Sequence, residues 1–363
     1  MGKRIIIAGG GTGGHIFPAI AIANALKKQD PSVEILFIGA KGKMEMEKVP
    51  QSGYEIKGLD IAGFNRSSVI KNISLPFKLI RSFFQVRSIF RYFIPDAVFG
   101  VGGYSSFPVL RYAQQKRIPT FLHEANAFAG KSNQILGRKA TRVFVATGGM
   151  DKFFPANKIK VTGNPVRASI VHAAIKRDDA LRFFGLDPER KTILSIGGSL
   201  GAKSINEAID AGLSEFEKND LQLIWQTGKP YAQRGKEAAT GHTGIWVDEF
   251  ISRMENAYAA ADLIISRAGA MAIAEICVVN KPVILVPYPH AAEDHQTVNA
   301  RNLVSNNAAL MITDKEAAQK LVPTVIALAK DQALQNKLIE NITPLGIMDA
   351  DDVIAKEVLS LIV

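Results

Sequence analysis

One alternation runs unbroken along this chain and restricts its fold more than any other feature. Short runs of β-branched and other apolar residues, flanked by Gly, Asn or Pro, take turns with longer stretches of helical periodicity. Runs that are apolar throughout suit strands buried on both faces. Separated by helices, they argue for an α/β chain of parallel sheets covered on each side. The predicted strands are residues 4–8, 34–38, 97–100, 120–123, 142–146 and 158–162, and then 192–196, 222–226, 244–247, 262–266, 282–286 and 309–312. Each series opens with a strand that enters a glycine loop, Gly9-Gly10-Gly11-Thr12-Gly13-Gly14 in the first and Gly197-Gly198-Ser199-Leu200-Gly201 in the second. The turn-rich junction Gly163-Asn164-Pro165-Val166-Arg167 lies between them. The expectation is two doubly wound, Rossmann-like domains, 1–163 and 164–345, with a last helix in 346–363 that packs back on the first. Two such domains facing each other leave a cleft at the carboxyl ends of both sheets, the edge where folds of this kind bind ligands. A length of 363 residues suits two cores of ordinary size.

Composition narrows the partners without choosing one. The formal charge of +10 suggests nucleic acid, an anionic membrane or phosphorylated ligands. No apolar run reaches the roughly 18 residues of a membrane-spanning helix. The opening Met1-Gly2-Lys3-Arg4 imitates a signal peptide, but the apolar run after it stops at Gly9 with no cleavage pattern, so it reads as the first strand of a cytoplasmic chain. The single cysteine, Cys277, rules out an internal disulfide and sits in an apolar helical pattern, where a core role is expected.

Gly9, Gly11 and Gly14 match G-x-G-x-x-G between a strand and a helix, a spacing that brings backbone amides close to a phosphate. A nicotinamide site also needs an acidic residue at the end of the second strand. That strand ends Phe37-Ile38-Gly39-Ala40-Lys41, with Glu34 at the wrong end. Two more glycine turns follow strands, at Gly100-Val101-Gly102-Gly103 and at Arg267-Ala268-Gly269. Any one of the four could be only a tight turn. Together, on one strand edge, they favour a phosphate-rich ligand. His15, on the first turn after the first loop, is the candidate general base. Glu275, among apolar neighbours in the helix after Gly269, is the candidate ligand for a ribose diol. Asp349-Ala350-Asp351-Asp352 reads as a helix N-terminus rather than a metal site, and neither a metal nor a cofactor is expected.

Residues 76–93 form a helix whose core stripe is Leu79, Phe83, Val86, Phe90 and Phe93. Its other side mixes Phe77, Ile80 and Phe84 with Arg81, Arg87 and Arg91, a composition that suits the interface of an anionic bilayer. Ile70 and Lys71 extend this candidate patch. Burial against another helix is the plain alternative. Nucleic acid is not expected, because helix-borne Phe between Arg is no base-reading module.

Taken in order, these motifs resemble one family. The segment from Gly9 to Pro18, Gly100-Val101-Gly102-Gly103-Tyr104, His123-Glu124-Ala125-Asn126, Thr162 to Arg167, Gly197 to Ala202, Phe250-Ile251 with Met254, Arg267 through Glu275, and His295-Gln296 with Asn299-Ala300 are similar to the MurG family of peptidoglycan N-acetylglucosaminyltransferases. The resemblance implies the GT-B glycosyltransferase fold. It also implies inverting transfer of GlcNAc from UDP-GlcNAc to undecaprenyl-diphospho-MurNAc-pentapeptide at the cytoplasmic face of the bacterial inner membrane. Other wall-building proteins are the implied protein partners. By the same resemblance the second domain holds the donor. Ser199 and Arg167 would take the diphosphate, backbone at Ile251 the uracil, Glu275 the ribose, and His295 and Gln296 the sugar, with Ala270 and Met271 also among the UDP-GlcNAc-binding residues. Thr12, Gly13, Gly14 and Asn126 would complete the site from the first domain. Two positions depart from some members: Ala272 replaces a hydroxyl residue, and His295 stands where a glutamine is found. Other readings stay open on the residues alone. They are a GT-B enzyme with another acceptor, such as a diacylglycerol glycosyltransferase, a UDP-GlcNAc epimerase, and a noncatalytic nucleotide-sugar binding subunit.

Overall fold

The computed structural model describes residues 2–63, 75–198 and 200–362. Two compact units divide the chain: Met1–Arg167 together with Asp349–Val363, and Ala168–Met348.

The first unit is built on a seven-stranded sheet in the order β3-β2-β1-β4-β5-β6-β7. Its strands are β1 (Arg4–Ala8), β2 (Glu34–Ala40), β3 (Glu55–Leu59), β4 (Ala97–Gly100), β5 (Thr120–Glu124), β6 (Arg142–Val145) and β7 (Ile159–Val161). Every pairing is parallel. The all-apolar strands are explained by two cores, one on each face. Ile5 and Ile7 pack to one side with the helix Gly13–Gln29, while Ile6 and Ala8 pack to the other with Val86 and Phe90 of the helix Leu75–Phe93. Phe99, Phe121 and Phe144, from three adjacent strands, stack with centroids 6.0–6.5 Å apart. The strand β3 is absent from the sequence expectation. It lies at the sheet edge, where exposed Glu55 and Lys57, together with Gly58, break up the apolar run of Glu55-Ile56-Lys57-Gly58-Leu59.

The last helix, Ala350–Leu361, belongs to this unit. Its Ile354, Ala355 and Val358 join the core formed by Ile16, Ala19 and Ile22. Its Glu357 accepts ion pairs from Arg142 at 3.0 Å and Lys160 at 2.6 Å, tying it to β6 and β7. Asp349 is the N-cap residue, Asp351 and Asp352 occupy the first turn, and Asp352 pairs with Lys28 at 2.7 Å. Among the described residues no group of three or more His, Cys, Asp or Glu side chains could hold a metal ion.

The second unit repeats the plan with six parallel strands in the order β10-β9-β8-β11-β12-β13. They are β8 (Lys191–Ile196), β9 (Leu221–Gln226), β10 (Ile245–Asp248), β11 (Leu263–Ser266), β12 (Val283–Leu285) and β13 (Leu310–Met311). Trp225, fully buried, anchors its core and donates its indole N–H to Asn206 Oδ1 at 2.9 Å. Cys277 is buried, and burial pushes its thiol up to about 12, so it is an inert core residue.

Candidate active site

In each unit the strand order reverses at the first strand, β1 beside β4 and β8 beside β11. Loops leaving the carboxyl ends of such a pair diverge and open a crevice. All four glycine turns singled out in the sequence fall at these two switch points.

In the first unit the loop after β1 leads into the helix Gly13–Gln29, with Thr12 as its extended N-cap residue. Thr12 and Gly14 are exposed, and Gly13 and His15 are half-buried. The His15 imidazole packs against the loop after β4: a Cβ on Gly102 would lie 3.1 Å from His15 Cε1 and 3.4 Å from Nδ1. The end of β5 supplies two buried groups that the sequence reading left without a role. His123 is fully buried and its Nε2–H donates to the Gly163 carbonyl at 3.2 Å. Burial pushes this imidazole down to about 4, against the opposing effect of that hydrogen bond, and the charge of His15 adds to the lowering. His123 is therefore neutral at neutral pH. Burial raises the Glu124 carboxyl, while its hydrogen bonds hold it back. It accepts from Asn133 Nδ2 at 2.9 Å, from the backbone of Gly130 at 3.1 Å, and from both the backbone (3.1 Å) and Nδ2 (3.3 Å) of Asn126. Asn126 is thus placed by its motif neighbour. Asn164 Nδ2 in turn donates to Ala125 O at 3.1 Å, which joins this loop to the segment ending in half-buried Arg167.

In the second unit the loop after β8 is clamped to the loop after β9. Gly201 has φ +73°, and a Cβ there would meet Thr227 O at 1.9 Å, so only glycine fits. Gln226 Nε2 donates to Gly198 O at 2.9 Å. Ser199, expected on the diphosphate, lies outside the described residues, as do Ile70 and Lys71. After β11, Arg267 turns inward. It pairs with Asp314 at 2.5 Å and donates to Val286 O at 3.0 Å and Pro287 O at 3.2 Å. Its cationic side chain is structural and fixes the loop from below. The helix Ala270–Val279 follows, with Ala270 and Met271 half-buried at its start. Glu275 is buried, and the buried Tyr258 hydroxyl donates to its Oε2 at 3.0 Å. Tyr258 went unread in the sequence because an apolar helical context hides a hydroxyl that reaches across to another helix. Ile251 is buried. His295 opens the helix His295–Ser305, and Gln296 accepts the Tyr288 N–H through Oε1 at 3.0 Å, which leaves its amide nitrogen as the donor end. Asn299 Nδ2 donates to Ala268 O at 3.2 Å, holding this helix to the loop after β11.

The helix Leu75–Phe93 belongs to the first unit. Val86 and Phe90 are buried and Leu79, Phe83 and Phe93 half-buried, while Phe77 (74%), Phe84 (67%) and Ile80 (56%) are exposed along with Arg81, Arg87 and Arg91. Arg81 also pairs with Asp60 at 3.3 Å. Charge divides unevenly: the first unit carries 26 Lys and Arg against 13 Asp and Glu, the second 18 against 21. The whole basic excess therefore lies on the unit with the aromatic helix. Among the described residues no helix is long and apolar enough to cross a membrane.

Residues 5–145 match the glycosyltransferase family 28 N-terminal domain and residues 192–348 the glycosyltransferase family 28 C-terminal domain. The chain belongs to glycosyltransferase family 28. Family 28 relatives match along its whole length. The UDP-N-acetylglucosamine–N-acetylmuramyl-(pentapeptide) pyrophosphoryl-undecaprenol N-acetylglucosamine transferase of Bacteroides fragilis is 51% identical over 362 residues, covering 99% of this chain and 95% of the relative. The crystal structure of Acinetobacter baumannii MurG superposes with a TM-score of 0.81 at 28% identity, covering 99% of this chain and 100% of that one. The resemblance read from the motifs, and the GT-B architecture it implied, hold across the family 28 chain. The UDP-GlcNAc 2-epimerase of Neisseria meningitidis has a TM-score of 0.68 at 15% identity, covering 99% and 100%, a likeness of fold alone.

Proposed function

We propose that this family 28 enzyme moves GlcNAc from UDP-GlcNAc to undecaprenyl-diphospho-MurNAc-pentapeptide, the lipid-linked acceptor of peptidoglycan synthesis. The observation that carries this is the full-length match to a transferase named for that donor sugar and that acceptor. The epimerase reading rests on a fold likeness only.

The donor is assigned to the second unit. Glu275, steadied by Tyr258, takes the ribose diol, backbone at Ile251 the uracil, and Ser199 with the loop after β8 the diphosphate, with Ala270 and Met271 also at the donor. Gln296 and His295 take the sugar hydroxyls. Thr12, Gly13, Gly14 and Asn126 of the first unit are assigned to UDP-GlcNAc as well, and His15 to the acceptor hydroxyl. The reaction is a single displacement. The acceptor hydroxyl oxygen bonds to the anomeric carbon, the bond from that carbon to the UDP oxygen breaks with inversion, and His15 takes the hydroxyl proton. Charge that grows on UDP is met by loop amides and Arg167. Transfer of labelled GlcNAc from UDP-GlcNAc to a lipid I analogue, run with and without a chelator, tests the reading. Labelled lipid II is the expected product in both arms. Release of free or epimerised sugar with no labelled lipid would refute it.

Peripheral attachment at the cytoplasmic face of the membrane is assigned to the helix Leu75–Phe93, on the exposure of its aromatics and the basic excess of its unit. Exposed Phe rings insert at the acyl boundary, and each nearby Lys or Arg adds about 1 kcal/mol on an anionic surface. The protein is expected to sediment with phosphatidylglycerol vesicles, less so as salt rises, and not with neutral ones. A Phe77→Glu/Phe84→Glu variant should stay in the supernatant and still bind UDP. Equal sedimentation of that variant would place attachment elsewhere.

A further inference from the structure

Glu45 was not singled out by any sequence pattern. Its carboxylate is buried, 1% exposed, at the start of the helix Glu45–Gln51. Its Oε2 accepts the Gly11 N–H at 2.9 Å, and its Oε1 accepts the Ala40 N–H at 3.0 Å. One oxygen holds the loop after β1 and the other holds the end of β2. The backbone around it leaves no room for side chains. A Cβ on Gly10 would lie 2.4 Å from Glu45 Cδ, and one on Gly39 2.5 Å from Glu45 Cγ. The loop after β4 is also close: burial raises the Tyr104 phenol above its usual pKa, and the Glu45 charge adds to that rise.

Three successive glycines at positive φ, Gly9, Gly10 and Gly11, lose more backbone entropy on ordering than any other residues would. A charged acceptor on a backbone N–H is about twice as strong as a neutral one, which makes this carboxylate the natural fastener. We infer that Glu45 is a positioning residue for sugar transfer: it fixes the Gly9–Gly14 loop and so the helix start that carries His15. This rests on the reading of His15 as the base.

Glu45→Gln keeps the shape but replaces one acceptor oxygen with an NH2 that faces a backbone N–H. In the full chain, kcat with UDP-GlcNAc and a lipid I analogue is expected to fall about 10²-fold, the scale of a small misplacement of a reacting group. The KM for UDP-GlcNAc and calorimetric UDP affinity should stay as in the parent protein, while the thermal midpoint falls by about a few degrees. Gly10→Ala, which drives a methyl into the carboxylate, should give the same split. Unchanged kcat in both variants overturns the inference. So does a fall in kcat accompanied by lost UDP affinity, the mark of a generally loosened fold. A slow His15→Ala beside a fast Glu45→Gln removes only the positioning role, whereas full activity in His15→Ala removes the reading of the loop itself.

Discussion

His15→Ala is expected to lower kcat by about 10²–10⁴-fold, the usual contribution of a general base. Calorimetric UDP affinity should not change, because His15 is assigned to the acceptor hydroxyl and not to the nucleotide. The physical reason for choosing His15 over the other histidine on this sheet edge is solvation. His123 is sealed, with its Nε2–H committed to Gly163 and its pKa pushed down to about 4, so it cannot gather a proton efficiently at neutral pH. His15 is half-buried at an exposed loop. The measurement is single-turnover transfer to a lipid I analogue with saturating donor. Unchanged turnover would eliminate His15 as the base. His123→Gln offers a second check: if it slows transfer more than His15→Ala does, the two assignments are reversed.

Glu275→Ala should weaken UDP binding by about 10²-fold. Two hydrogen bonds from a diol to a carboxylate are worth about 1.5 kcal/mol each, and together their roughly 3 kcal/mol slightly exceeds that factor. The loss should be absent for a uridine nucleotide that lacks both ribose hydroxyls, which makes the ligand its own control. Tyr258→Phe deletes only the hydroxyl that donates to Glu275 Oε2. It should weaken UDP by a smaller factor and have no further effect in a Glu275→Ala background, the signature of two groups acting as one. Equal UDP affinity in Glu275→Ala would contradict the ribose assignment. Additive losses in the double variant would show that Tyr258 acts independently.

What could be read from the sequence follows from what leaves a local trace. Strands buried on both faces must be apolar throughout, so the interior strands stood out; the edge strands β7, β10 and β13 kept enough apolar residues to be read with them, whereas β3 was missed because Glu55, Lys57 and Gly58 interrupt its run. The glycine turns were legible because close backbone approach forbids a Cβ, as at Gly201. The aromatic helix was legible because its core stripe left Phe77, Ile80 and Phe84 with no inward face. Its exposure in the structure is the same periodicity seen from outside.

The residues that hold the functional groups in place left no such trace. Glu45 reaches Gly11 across 34 positions, Tyr258 reaches Glu275 across 17, and Arg267 reaches Asp314 across 47. Each is an ordinary residue in an ordinary helix or loop until folding supplies its partner. The sequence by itself determined the strand–helix alternation, the two glycine-looped halves and the family, because burial period and backbone sterics act on neighbours along the chain. The tertiary structure alone decided which carboxylates are structural fasteners and which remain for chemistry, because a buried charge is defined by what surrounds it and not by what precedes it.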